Sequence, residues 1–229
     1  MVKRFGAEMP LPVFTQLKLP VYMASAFTHP LWPVITSENP VEFSLLRWGL
    51  VPYWIKSREE ADKIRVMTPN CVGETAFEKA SFRHVISRKR CLIPATGFFE
   101  WHTAGKNKYP HYIYLKSKEP FAIAGIYDHW VDKTTGEIID SFSLITTVAN
   151  PMLEKIHNVK KRMPAILPAE KEKSWLKAGL SRQEISDLLK PYPEELMDAH
   201  SVSKLISSKT SNPNVPEVIE PFSYPELAL

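Results

Sequence analysis

Residues 90–101 read RCLIPATGFFEW, and the reading of this stretch decides the fold class. Cys91, Leu92 and Ile93, then Phe98, Phe99 and Trp101, make an apolar and aromatic run of strand character. One carboxylate, Glu100, stands among the rings. In a strand flanked by Phe98, Phe99 and Trp101 it is partly desolvated, which raises its pKa and lets it hold or hand over a proton near neutral pH. Considered alone, such a Glu is more simply a surface residue of an edge strand, and the rest of the chain has to decide.

Working outward, further strands are expected over residues 32–36, 43–48, 91–101, 111–115, 121–126 and 142–147, where β-branched and aromatic residues gather with partial alternation. Helices are expected over residues 58–65, 77–87, 150–157, 169–176 and 182–189, the last opened by a capping box of Ser181 and Glu184. Its Ile185, Leu188 and Leu189 form a core-facing side. The chain has 8 glycines against 20 prolines, and the prolines fall between apolar segments, which makes rigid corners between short strands. Strands come early and helices gather late. That order predicts an α+β fold with a curved, barrel-like antiparallel β-sheet core and flanking helices, not a doubly wound sheet. One domain is expected over residues 1–206, with an irregular tail over 207–229 that wraps or hangs loose.

Composition excludes several classes. At 229 residues, 44% hydrophobic and 24% charged, the chain can bury a sizeable core. It has no apolar run of membrane-spanning length, and its opening, MVKRFGAEMP, lacks the apolar segment of a secretory signal, so a cytoplasmic protein is expected. Cys71 and Cys91 fit no zinc spacing and read as reduced thiols. A formal net charge of +4 permits a nucleic-acid partner without requiring one. The absence of a glycine-rich phosphate loop and of a GxSxG elbow argues against nucleotide hydrolases and α/β-hydrolases.

Four segments carry a more specific signal: residues 47–54 (RWGLVPYW), 70–75 (NCVGET), 90–101, and 145–167 (ITTVANPMLEKIHNVKKRMPAIL). In this order and spacing they resemble the SOS response-associated peptidase (SRAP) family, whose members form covalent links to abasic sites in single-stranded DNA. The resemblance spans residues 22–203 and implies a barrel-like sheet with flanking helices. It implies abasic-site sensing in the DNA damage response, through an N-terminal Cys whose amine condenses with the abasic aldehyde and whose thiol closes a thiazolidine ring. By resemblance Glu100 is the proton carrier, His157 assists opening of the sugar, and Asn70 hydrogen-bonds the nucleophile and the lesion. Arg4, Trp54, Arg83, Thr147 and Arg162 take positions near the DNA, with Trp54 stacking on a base or wedging against the duplex edge beside the lesion, and the arginines on phosphates. The expected partner is single-stranded DNA bearing abasic sites, bound by a monomer that is nucleoid-associated when on DNA. No metal, small-molecule cofactor or membrane is expected.

Each residue also has a plainer reading: His157 as a cation at a helix C-terminus, Asn70 as a turn residue after Pro69, the arginines as solvated charges. Departures from the family pattern are equally concrete. Position 2 is Val, not Cys. Either MVKRF replaces the family's opening and the thiol has been substituted, or KRFGAE belongs to a longer amino-terminal segment and the thiol lies upstream, which is the simpler account. Val72 stands where the family usually has Arg, and more residues separate His157 from Arg162 than is common. Cys71 has no α-amine and cannot form the same ring, and Cys91 reads as a small buried hydrophobe. Two other readings stay open: a non-catalytic single-stranded DNA-binding module, and a thiol peptidase acting on its own amino-terminal segment.

Overall fold

A computed structural model describes residues 1–17, 19–208 and 210–227. Five strands close into a ring: β1 (Leu31–Thr36), β2 (Phe43–Trp48), β4 (Arg90–Ala95), β7 (Phe121–Val131) and β8 (Ile138–Val148). The order is β7, β4, β1, β2, β8, and β8 returns to β7. Closure leaves no free edge within the ring. β10 (Ile166–Leu167) extends it from β7, while β3 (Asn70–Val72) and β9 (Arg162–Pro164) attach to β8. A second sheet, in the order β11, β6, β5, comprises β5 (Phe98–Ala104), β6 (Asn107–Leu115) and β11 (Met197–Ser201).

The α+β barrel expected from the sequence is therefore present, with one refinement: β2 and β3 run parallel to β8. Strand β8 organises the arrangement. β2 takes its residues 141–142 and β3 its residues 144–146 on one side, while β7 takes 138–144 and β9 takes 146–148 on the other. Alternation along the wall buries both faces. Ile35, Leu92, Ala124 and Ile126 join one apolar cluster with Trp175 and Ile185, whereas Val34, Cys91, Ile93, Tyr127 and Phe142 join another with Leu153 and Ile156.

RCLIPATGFFEW is two strands, not the single strand expected over residues 91–101. It breaks at Thr96 and Gly97, so β4 belongs to the barrel and β5 to the second sheet. Gly97 explains the break, because a Cβ there would lie 2.3 Å from the ring of Tyr112. Arg90 anchors the barrel half. Fully buried, it donates to the carbonyls of Trp175 (2.8 Å), Ile86 (2.9 Å) and Lys177 at the end of a helix, Ala169–Leu176, and Trp175 donates back to the Cys91 carbonyl at 3.0 Å. Cations are favoured at a helix C-terminus.

The expected helix over 77–87 is absent. The segment is a series of turns that presents Phe82, Val85 and Ile86 to the core, so burial of these three overrides helical periodicity. The other expected helices form, as Arg58–Met67, Pro151–Ile156, Ala169–Leu176 and Arg182–Leu188, the last with its capping box in place. The tail wraps the second sheet: Val218 is fully buried, Tyr224 donates to the Val202 carbonyl at 2.8 Å, and Asn214 accepts from the backbone of Tyr22 at 2.7 Å.

Candidate active site

Glu100 sits in the middle of β5, and the end of one short helix is fastened over it. That helix, Pro151–Ile156, starts where the Asn150 side chain accepts the Leu153 N–H at 2.9 Å, has proline in its first turn, and ends at His157. Asn158 then clamps Thr103 twice, accepting from its N–H at 3.0 Å and donating to its carbonyl at 2.9 Å, and His102 Nδ1 meets the Lys155 carbonyl at 2.8 Å. These contacts bring His157 Nδ1 to 3.3 Å from Glu100 Oε2. Both side chains retain one-fifth of their surface, 20% each, so the pair is sheltered yet reachable. Burial pushes the Glu100 pKa up to about 7, against opposing pulls from the Trp101 backbone and Lys160. A carboxyl group of that pKa holds or releases a proton at neutral pH.

Around Glu100 stand more imidazoles than the sequence reading named. His111 is its direct partner across the β5–β6 ladder, 4% exposed, and His102 lies two residues along the same face with its ring 6.4 Å from that of His111. His102, His111 and His157 each direct Nδ1 at a backbone carbonyl: Lys155, Tyr109 at 3.0 Å and Arg162 at 3.0 Å. A carbonyl only accepts, so Nδ1 carries the proton in all three, and Nε2 is the basic nitrogen of the neutral ring. Burial lowers the His111 pKa, with His102 and His200 contributing in the same direction. The period-two pattern 98, 100, 102 was the available signal for His102, whereas His111 needed the knowledge that β6 begins at Asn107.

Asn70 is exposed on β3, opposite Leu144 of β8. It connects to the pair through neighbours. Thr146 Oγ1 donates to the Cys71 carbonyl at 3.4 Å, and Arg162 Nη2 donates to the Thr146 carbonyl at 2.7 Å. The carbonyl of Arg162 in turn receives His157. Arg162 also grips Glu74 through two hydrogen bonds of 2.9 and 2.7 Å, a partner the sequence reading missed. Burial works against the Glu74 carboxylate, but the Arg162 hydrogen bonds and its own backbone outweigh it and hold its pKa below the ordinary value.

The remaining expected contact residues divide. Trp54 is 42% exposed and Arg83 is exposed, as a contact role requires. Arg4 is engaged in a bidentate pair with Glu172, at 3.0 and 2.7 Å. Thr147, only 4% exposed, presents no surface to a ligand. Cys71 and Cys91 are both fully buried, and burial holds their thiols far above the ordinary range, so neither is a nucleophile. Among the described residues no group of three or more His, Cys, Asp or Glu has the geometry to hold a metal ion, and no helix is long and apolar enough to cross a membrane.

Known proteins resemble this chain in sequence and in fold. The abasic site processing protein YoqW of Bacillus subtilis is 36% identical over 219 residues, covering 91% of this chain and 93% of that protein. The abasic site processing protein HMCES of Pongo abelii is 33% identical over 205 residues, covering 77% of this chain and 56% of that protein. A protein from Bacteroides thetaiotaomicron, solved by X-ray crystallography, superposes with a TM-score of 0.91 at 44% identity, over 97% of this chain and 94% of that one. The family described as SOS response associated peptidase matches residues 13–209. With most of its length matched, and with YoqW aligned along nine-tenths of it, the chain belongs to the SRAP family.

Proposed function

We propose that this chain acts on abasic sites in single-stranded DNA, using Glu100 and His157 as its acid–base pair and Asn70 to hold the lesion. The observation that carries the reading is the sheltered 3.3 Å contact between His157 and a Glu100 whose pKa is about 7. The relatives YoqW and HMCES are named as abasic site processing proteins, which supports the abasic site as the substrate. An amine at the chain's amino terminus attacks the aldehyde carbon of the ring-opened sugar, and protonated Glu100 gives its proton to the departing hydroxyl. Water leaves, and an imine joins protein to DNA. His157 assists the opening of the sugar, with Trp54 and Arg83 holding the flanking strand.

The thiazolidine of the family needs a thiol beside that amine, and neither Met1 nor Val2 carries one. An adduct formed by a Val2 amine, with no thiol beside it, is a reversible imine. A cytoplasmic place at the nucleoid, in the DNA damage response, goes with this role, as does a single SRAP-like domain over residues 1–206.

Borohydride reduction on abasic single-stranded DNA tests the reading. Trapping of wild type, a loss of about a hundredfold in trapping rate for Glu100→Gln, and no adduct surviving heat without reductant are expected. A heat-stable adduct, or no trapping at all, overturns it.

A further inference from the structure

Most arginines of this chain end on an oxygen. Arg4, Arg58, Arg65, Arg162 and Arg182 meet carboxylates, on Glu172, Glu137, Asp62, Glu74 and Glu78. Arg47 donates to the His29 carbonyl, and Arg90 to three carbonyls. Among the described residues that leaves Arg83 and Arg88. Arg83 has only its Nε on the ring of neighbouring His84, at 3.2 Å, and the Arg88 guanidinium has no hydrogen-bond or ion-pair partner. Both line one cavity of about 350 Å³, with Tyr53, His84, Ser87 and Lys89.

The cavity holds one carboxylate, Asp128, and it is already committed. Its Oδ1 accepts from Lys89 Nζ at 3.0 Å and from the His129 N–H at 2.9 Å, and its Oδ2 from the Tyr53 N–H at 2.8 Å. Asp128 therefore neutralises Lys89 and pins the backbone of Tyr53, and no anion in the wall answers the two guanidinium groups. Two unpaired cations around one hollow repel each other unless an anion enters. The planar guanidinium fork suits phosphate oxygens, and Tyr53, 57% exposed at the rim and packed edge-on to His84 at 6.2 Å, offers a ring face to a base.

We propose that this cavity is a phosphate-binding subsite for a single-stranded nucleic acid, in which Arg88 and Arg83 grip one phosphodiester and Tyr53 stacks on the adjoining base. The subsite adds Arg88 and Tyr53 to the DNA track and rests on the reading that this chain binds single-stranded DNA. Chemistry at Glu100 is not needed for it to work.

The test is binding of an undamaged single-stranded oligonucleotide by the full chain across a range of sodium chloride concentrations. Arg88 is exposed, so its variants should fold. Arg88→Ala is expected to bind several-fold more weakly at low salt, with the slope of log affinity against log salt flatter by about 0.7, one single-strand phosphate contact. Arg88→Lys should keep the slope, and Tyr53→Ala should weaken binding without changing it. An Arg88→Ala slope equal to that of wild type overturns the proposal. So does competition by inorganic phosphate beyond the effect of sodium chloride at equal ionic strength, because the site would then belong to a free anion. Since no lesion is used, a flattened slope with no borohydride trapping would sink the abasic-site chemistry alone, and normal trapping with an unchanged slope would sink the subsite alone.

Discussion

Glu100 and His111 face each other across the β5–β6 ladder, one a carboxylic acid held near neutrality and the other an imidazole held neutral by burial. A neutral imidazole offers no cation to draw the proton off, and burial is what raises the Glu100 pKa. The folded-state pKa of Glu100, about 7 against an ordinary 4.5, means that folding favours its protonated form. As pH rises from 4.5 through 7, the native state holds a proton that the unfolded state has lost, and stability falls. Glu100→Gln removes that dependence. It should be more stable than wild type by about 1–3 kcal/mol at pH 8 and by much less at pH 5. Thermal melts at the two pH values check this, and a stability difference independent of pH would show that Glu100 is not held as an acid.

Gly97 lets the chain turn from barrel to second sheet against the face of Tyr112. Gly97→Ala drives a methyl into that ring. A loss of about 1–3 kcal/mol is expected in chemical denaturation, together with a shift in the Tyr112 and Glu100 NMR resonances. Unchanged stability would mean that the turn does not fix β5.

Arg90 joins β4 to the Ala169–Leu176 helix without a carboxylate. Arg90→Met keeps much of the volume but strands the carbonyls of Trp175, Ile86 and Lys177, so a loss of about 3 kcal/mol or more is expected. Arg90→Lys should recover only part, because one ammonium cannot reproduce a planar fork. Equal stability of Arg90→Lys and wild type would refute the claim.

His129 lies between two carboxylates, with Nδ1 2.5 Å from Asp140 and Nε2 3.0 Å from Glu38. Burial alone would lower its pKa, but the hydrogen bonds to Asp140 and Glu38 prevail and raise it. The Glu38 pKa is lowered, burial being outweighed by His129. The His129 contribution is present below its ordinary 6.5 and is lost as pH climbs through the raised value. That of Glu38 is present above 4.5 and is lost as pH drops through the lowered one. The clamp thus works best in mildly acidic solution, between these limits. All three groups are more than one-third exposed, at 36%, 43% and 58% for His129, Asp140 and Glu38, so His129→Gln should cost under about 1 kcal/mol at pH 6. The loss should shrink toward pH 9. A cost equal at both pH values would deny the clamp.

The strand-rich barrel was legible because β-branched and aromatic runs alternate, and Glu100 was legible because rings surround it in sequence. The break at Gly97 was not, since its cause is the ring of Tyr112, fifteen residues on in the chain and on another strand. The turns over 77–87 misled for a similar reason: Phe82, Val85 and Ile86 have helical spacing, and their burial could be satisfied without a helix. Within the site, Glu100 and His157 were each named by family resemblance, while their contact is visible only in the fold. The cross-strand place of His111 depends on register, which short-range pattern does not carry. Arg4 and Arg162 read as free cations because their acceptors, Glu172 and Glu74, lie far away in sequence.

Strand β8 has a consequence for how this molecule tolerates change. Asn70 is indexed on it through β3 and Arg162 through β9, from opposite sides. The two flanks of the site thus share one ruler, and small movements of β8 carry both together with their separation preserved. The loops that lead into β3 and β9 lie outside that ruler. The spacing of the site can outlast considerable drift in the sequence around it.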